Sequence, residues 1–363
     1  MLPYLIIFII SIIATYKAQK CKTKNFLFYL HTCFAIIPLV LLAAFRDESI
    51  GTDTANYIYL FEDAIENKGS IINYIFFHPS FEIGFLIYNF LLAQCTKSII
   101  IYFIVTYGII IGLTYASALK LRAYISPHIF MFIYVFIFFS ETLNGQRQYM
   151  AISLVIYAVA NLLIGKKIKY LVLTIIACLF HTSSIISIVI GGTYWLIRKF
   201  PLYNHKLLYT IICIIVLIVA FGMGRFANMG WLPIFEEKLS NSITSTSGSG
   251  ISNSYLLVCI YTLFVLLCSY KRSVICDLTL LTTIYTFIFY LSPDMNGIMY
   301  RLTLYFNIMM CISISYIFNT SKRVSTKMNV IILLTFYMVF YIFSIVVSGT
   351  HEVVPYSSSI LGI

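Results

Sequence analysis

Long apolar runs alternate with short polar breaks along the chain, and the lengths of the runs decide what they are. An α-helix rises about 1.5 Å per residue, so about 20 apolar residues cross the roughly 30 Å hydrocarbon core of a bilayer. Runs near 2–16, 26–45, 98–119, 125–140, 148–165, 169–181, 183–197, 206–222, 254–270, 274–292, 300–318 and 328–348 predict about twelve membrane-spanning helices. The expected fold class is an all-α polytopic membrane protein, with residues 1–363 as a single integral membrane domain. A further apolar segment, 82–94, is too short to cross and predicts a re-entrant or interfacial helix.

Composition turns this pattern into a class. Hydrophobic residues make up 61% and charged residues 10% of the chain, where a soluble domain carries about 25% charge. Such a chain cannot cover a water-facing surface, which excludes a soluble enzyme. The net charge of +11 would suit nucleic acid, yet its distribution is that of a membrane topology. Cytoplasmic loops collect Lys and Arg. If 82–94 does not cross, one side holds Lys17, Lys20, Lys22, Lys24, Lys120, Arg122, Lys166, Lys167, Lys169, Arg198, Lys199, Lys206, Lys271, Arg272, Lys322, Arg323 and Lys327, most of the 24 basic residues. If 82–94 does cross, that side keeps only the first four, with Lys97, Arg147, Arg225, Lys238 and Arg301. The first arrangement is preferred, with both termini outside and no nucleic-acid partner. The first run precedes its lysines and reads as a retained span, not a cleaved signal. Most of the cysteines sit inside apolar runs and none forms a Cys-x-x-Cys pair, so they read as small hydrophobes.

That orientation leaves the outer face with the long loops 46–81 and 223–253 and with nearly all the acids, Asp277 being the exception. Chemistry needs mixed polar groups, so it is expected there. In Arg46-Asp47-Glu48-Ser49-Ile50-Gly51-Thr52-Asp53, Gly51 suits a tight turn, and Asp53 either caps a helix over 54–66 or serves the site. Tyr57, Phe61, Ala64 and Ile65 would form the apolar side of that helix, and Glu62, Asp63 and Glu66 its solvated face. Asn144-Gly145-Gln146-Arg147-Gln148 heads a span, and an Arg entering a membrane helix is costly unless it snorkels or is paired. Phe180-His181-Thr182-Ser183 breaks an apolar stretch into two short halves, placing a histidine below the surface, either as a packing residue or in a wet cavity. Pro293-Asp294-Met295-Asn296-Gly297 precedes Arg301, a second Arg opening a span, which Asp294 could simply pair. The loop 223–253 carries Trp231, an amphipathic stretch Pro233–Leu239 and a Ser/Thr/Gly tract, 243–254, that reads as a tether or flap. The many Tyr and Phe read mostly as interfacial belts and lipid-facing packing.

Several of these elements, in this order, resemble the EpsG/Wzy-type polysaccharide polymerase family. They are Arg-x4-Gly-x-Asp-x3-Tyr (Arg46, Gly51, Asp53, Tyr57), Glu-x-Gly-Phe (Glu82, Gly84, Phe85), Asn-x2-Arg-Gln (Asn144, Arg147, Gln148), Phe-His (Phe180, His181) and the late Arg301. The resemblance implies a bacterial cytoplasmic-membrane enzyme similar in architecture to glycosyltransferases that use lipid-phosphate donors. Such an enzyme joins undecaprenyl-diphosphate-linked oligosaccharide units into O-antigen, capsule or exopolysaccharide at the periplasmic or extracellular face. It implies the lipid-linked units and the bilayer as partners, with a chain-length regulator and a flippase as possible others. No cofactor and no metal is expected.

The chemistry fits these residue types. Charge develops on a diphosphate as the glycosidic bond breaks, and Arg grips phosphate bidentately, so Arg46, Arg147 and Arg301 are candidates for it. Gln148, Tyr57 and Asn144 are candidate sugar or diphosphate contacts. The attacking hydroxyl needs a base, for which His181 is favoured over Asp53. Two rivals stay open: a flippase or transporter of the same lipid-linked sugar, and a glycan ligase or acyltransferase. Spans almost free of charge argue against the transporter, which usually carries ionisable groups near mid-membrane.

Overall fold

The computed structural model describes residues 1–22, 25–66, 69–227, 249–291 and 297–362. Every regular element among them is helical. Among the described residues six helices are long and apolar enough to cross a membrane: Leu2–Lys20, Phe26–Ala44, Ile99–Lys120, Pro127–Asn144, Met299–Thr320 and Val324–Val347. Shorter apolar helices occupy Ile83–Cys95, Lys206–Phe221, Tyr255–Cys268 and Val274–Tyr290. The predicted helix over 54–66 runs from Thr54 to Glu66 and is followed by a short one, Ile71–Phe77.

Helix ends follow local chemistry. Ser70, Ser98 and Ser273 accept from the amides of Asn73, Ile101 and Cys276, satisfying donors that a first turn leaves open. Pro127 opens its helix, where its missing N–H costs nothing. The apolar stretch around His181 breaks there into Lys167–Phe180 and Ser187–Lys199. The helix begun at Lys206 continues through Ala227 and the next starts at Ser249, so both ends of the expected 223–253 loop are helical. Trp231, Pro233–Leu239, Lys238 and the tract 243–248 lie outside the described residues, as do Lys24, Lys68 and 292–296 with Asp294.

The chain divides into two compact units, Met1–Ser184 with the segment from Leu334 onward, and Ile185–Leu333. In the first, Leu2–Lys20 packs on Phe26–Ala44, which packs on Ile99–Lys120, and that on Gln146–Leu163. Ile83–Cys95 sits against both Thr54–Glu66 and Lys167–Phe180. In the second, Val274–Tyr290 is the hub, touching the helices at 187–199, 206–227, 249–268, 297–307 and 310–320.

Large apolar side chains such as Ile168, Leu171, Ile175, Leu207 and Ile218 are exposed, while polar ones such as Ser11, Asn89, Thr106, Thr114 and Asn161 are buried. Thr106 and Thr114 return their hydroxyls to carbonyls of their own helix, which satisfies them without water. One expectation needs correcting: the tyrosines are not chiefly a surface belt. Tyr4, Tyr74, Tyr102, Tyr107, Tyr115 and Tyr134 are among the largest fully buried side chains. The ring fills the core while the hydroxyl ties a neighbouring segment, as Tyr4 does to the Val353 carbonyl after the last helix and Tyr74 to the Leu60 carbonyl of the Thr54–Glu66 helix.

Candidate functional site

All but one of the candidate residues fall in the first unit, around the turn that follows the Phe26–Ala44 helix. Arg46 organises that turn and is only 4% exposed. Its Nε donates to Ile50 O at 3.3 Å, and Nη2 to Thr54 Oγ1, Tyr107 OH and Leu143 O at 3.3, 2.8 and 3.2 Å. Nη1 donates to the Ala43 carbonyl. The Phe103 and Tyr107 rings lie 4.6 and 4.9 Å from the guanidinium carbon. Gly51, at φ +88°, completes the turn, and a Cβ there would stand 2.9 Å from Thr54 Oγ1 and 3.0 Å from Leu143 O. Only glycine fits both the conformation and the gap.

The turn delivers Thr52 and Asp53 to Asn144. Asn144 Oδ1 accepts from Thr52 Oγ1 at 2.7 Å and from the Asp53 amide at 2.9 Å. On its other side Asn144 Nδ2 donates to His351 Nδ1 at 3.4 Å. His351 comes from the segment after the last helix, which is pinned to the same turn: the Gly51 amide donates to Glu352 O at 3.2 Å and the Asp47 amide to Ser357 O at 3.1 Å. Burial pushes the His351 imidazole below its ordinary pKa, with Glu141 and Asp53 partly opposing.

A second cluster centres on Glu82, the residue before the Ile83–Cys95 helix. Arg147 Nη1 donates to Glu82 Oε2 at 2.7 Å. The other oxygen, Oε1, accepts from His181 Nδ1 at 3.0 Å and from the Thr182 amide and hydroxyl at 3.2 and 3.1 Å. Burial would push the Glu82 carboxyl up; the His181 hydrogen bond, the Arg147 and imidazole charges and the Thr182 amide outweigh it and hold the group well below the usual carboxylate range. Gly84 makes the meeting possible. A Cβ on it would fall 2.6 Å from Leu179 O, so only glycine lets this helix approach the end of Lys167–Phe180, where His181 is the cap.

Tyr57 joins the two clusters. It is buried against the Phe85 ring, with centroids 5.8 Å apart, and hydrogen-bonds Arg147. Burial raises its phenol and the nearby Asp53 charge adds to this, while Arg147 opposes. The Phe81 ring covers Arg147 at 4.4 Å. Asp53, Tyr57, Asn144, Arg147 and His181 thus form one neighbourhood. Arg46 lies behind it, its donors turned to backbone and hydroxyl oxygens. Gln148 is buried in the first turn of Gln146–Leu163. Arg301 is exposed on Gly297–Asn307, in the second unit. Asp63 departs from its expected solvated role: it pairs with His78 Nε2 at 2.7 Å, while Glu62 and Glu66 are exposed.

In its neutral form His181, with Nδ1–H donated to the Glu82 carboxylate, carries its lone pair on Nε2, and a fixed tautomer of this kind suits proton transfer. Arg147 beside it supplies a cation held by geometry rather than by solvent.

A model of the EpsG family matches residues 29–358. The chain belongs to the EpsG family. Neither the curated proteins nor the solved structures provide a match. Membership fits a membrane polysaccharide polymerase, and the matched span contains every residue of both clusters. Two residues of these clusters had no role in the sequence reading. Glu82 opened the Glu-x-Gly-Phe element, but nothing in the pattern joined it to His181 and Arg147. His351 follows the last apolar run, and its signal was a polar His-Glu pair after a glycine.

Proposed function

We propose that the protein is a glycosyltransferase-type polymerase that joins lipid-diphosphate-linked oligosaccharide units into a surface polysaccharide. The lipid is undecaprenyl, the product an O-antigen or exopolysaccharide, and the reaction runs on the outer side of the bacterial cytoplasmic membrane. About twelve crossings, with 82–94 re-entrant, complete this reading. The observation that carries it is the single Glu82 carboxylate shared by Arg147 and His181.

In the reaction the bond between the sugar's anomeric carbon and the diphosphate oxygen breaks, and its electron pair leaves with the diphosphate. The acceptor hydroxyl bonds to that carbon and loses its proton. Arg147 stabilises the leaving charge. His181 Nε2 takes the proton, with Glu82 as the positioning residue that fixes its tautomer. Asp53, Tyr57 and Asn144 orient the acceptor sugar, with Gln148 supporting the head of the helix. Arg46 holds the turn in shape and does not grip phosphate itself. Arg301 remains a second candidate for the diphosphate. Transfer proceeds without a metal, Arg147 supplying the positive charge.

The test is genetic. Deleting the gene should collapse the surface-glycan ladder to a single-repeat band. Wild type should restore it and Arg147→Ala should not. Long chains stranded on the lipid carrier would instead identify a ligase, and an unchanged ladder would sink the polymerase reading.

A further inference from the structure

The second unit carries a site of a different kind. Its described residues include one acid, Asp277, and, besides Arg225 and Arg301, the basic residues Arg198, Lys199, Lys206, Lys271, Arg272, Lys322, Arg323 and Lys327. Lys206 with Arg272, Arg198 with Arg272, and Lys271 with Lys322 and Arg323 line shared cavities beside the turns that connect the helices. The Lys271 ammonium donates to the Thr320 carbonyl, and the Arg272 guanidinium lies 3.2 Å from the centre of the Tyr203 ring. Lys206 Nζ approaches the same ring at 5.6 Å. Among the described residues neither Lys206 nor Arg272 is in an ion pair.

Below these two cations runs a groove of about 770 Å³, walled by Leu202, Leu267, Leu280, Leu281 and Ile284. Arg272 also lines a second, polar cavity of about 360 Å³ that contains Arg198, Asn204, Ser273 and Asp277. One guanidinium therefore stands at the junction of an apolar slot and a polar chamber. The Asp277 carboxylate accepts from Tyr270 OH at 2.6 Å and presents an acceptor within a ring of donors.

We propose that this is a binding site for one anionic glycerophospholipid. An acyl chain fills the leucine-walled groove, the phosphate lies between Lys206 and Arg272, and the headgroup hydroxyls enter the polar chamber. Charge complementarity selects the occupant. A zwitterionic headgroup would bring a third cation to a rim that already has Lys206 and Arg272, and a free anion would leave the groove empty. Juxtamembrane Lys and Arg attract anionic leaflets in general. Here the slot beneath them adds a place for one particular molecule. The site is independent of the sugar chemistry, so its failure would leave the polymerase reading untouched.

The experiment uses the purified full-length protein in detergent, mixed with equal amounts of phosphatidylglycerol and phosphatidylcholine of identical chains. Native mass spectrometry counts the adducts. The expected result is one retained phosphatidylglycerol, favoured about ten-fold or more over phosphatidylcholine. The preference should fall to parity in Lys206→Gln/Arg272→Gln. If that variant fails to fold, competition on the wild type decides: glycerol phosphate, which has the head and no chain, should not displace the lipid at equal concentration. Equal retention of the two lipids would overturn the proposal, as would ready displacement by glycerol phosphate or by a polyprenyl diphosphate.

Discussion

Arg46 and Arg147 enter the sequence on equal terms, each an arginine beside an apolar run, and they end in opposite circumstances. Arg46 is surrounded by oxygens it holds in place: the carbonyls of Ala43, Ile50 and Leu143 and the hydroxyls of Thr54 and Tyr107. Arg147 shares one carboxylate with a histidine and is partly exposed. A guanidinium that meets backbone acceptors builds a loop. One that meets Glu82 beside His181 can be taken up by a substrate, because its partner keeps other donors when the arginine turns away.

The comparison breaks most sharply at Arg46→Ala. The substitution removes five hydrogen bonds; the Ile50 and Leu143 carbonyls keep Thr54 and Tyr107 as donors, but the Ala43 carbonyl loses its side-chain donor, at about 1–3 kcal/mol, and a cavity opens between two rings. Loss of roughly 3–5 kcal/mol is expected from the cavity and the lost hydrogen bonds together, seen as a collapse in folded yield and thermal midpoint in detergent. A stable Arg46→Ala protein that makes no polymer would instead put Arg46 in the chemistry.

Arg147→Ala should do the reverse. Glu82 keeps His181 and Thr182, so the midpoint should move little, while polymer formation should fall about 10²–10³-fold, the usual scale for removing a preorganised charge. Arg147→Lys sharpens the point. It restores charge but not the planar fork, and should recover less than a tenth of the activity. Full recovery by lysine would mean that only local charge matters there.

Gly84→Ala tests whether the cluster depends on helix approach. The new methyl would meet Leu179 O, a backbone atom that cannot rotate aside. Overpacking of this kind costs about 1–3 kcal/mol. It should also move Glu82 away from His181, so activity falls although no group touching sugar has changed. Because the clash is with backbone, Leu179→Ala should not rescue it.

The membrane class and the Thr54–Glu66 helix were legible because they rest on run length and periodicity, which are local. The break at His181 was legible for the same reason. Glu82 was not, since its role needs Gly84, Leu179 and His181 brought together across about a hundred residues. The two arginines could not be told apart either. A guanidinium's role depends on which acceptors surround it, and those of Arg46 come as much from Tyr107 and Leu143 as from its own loop. His351 was missed because it follows the last apolar run, where nothing local marks a residue that folds back onto Asn144.

The smallest effect concerns that histidine. Its environment lowers the folded pKa from an ordinary value near 6.5, mainly by burial. Between the folded and unfolded values the unfolded chain binds the proton and the folded chain does not. Stability should therefore be full above about pH 6.5 and be lost as the pH falls through that window. Asparagine can replace the histidine at its positive φ of 69° without titrating. The midpoint of the wild type should drop more steeply between pH 7.5 and 5.5 than that of His351→Asn, by an amount equivalent to about 1 kcal/mol or less. The glycan ladder should change only slightly, since His351 supports Asn144 and not the Glu82 cluster. Parallel midpoint curves would assign the titration to another group, and loss of the ladder in His351→Asn at neutral pH would move the histidine into the site itself.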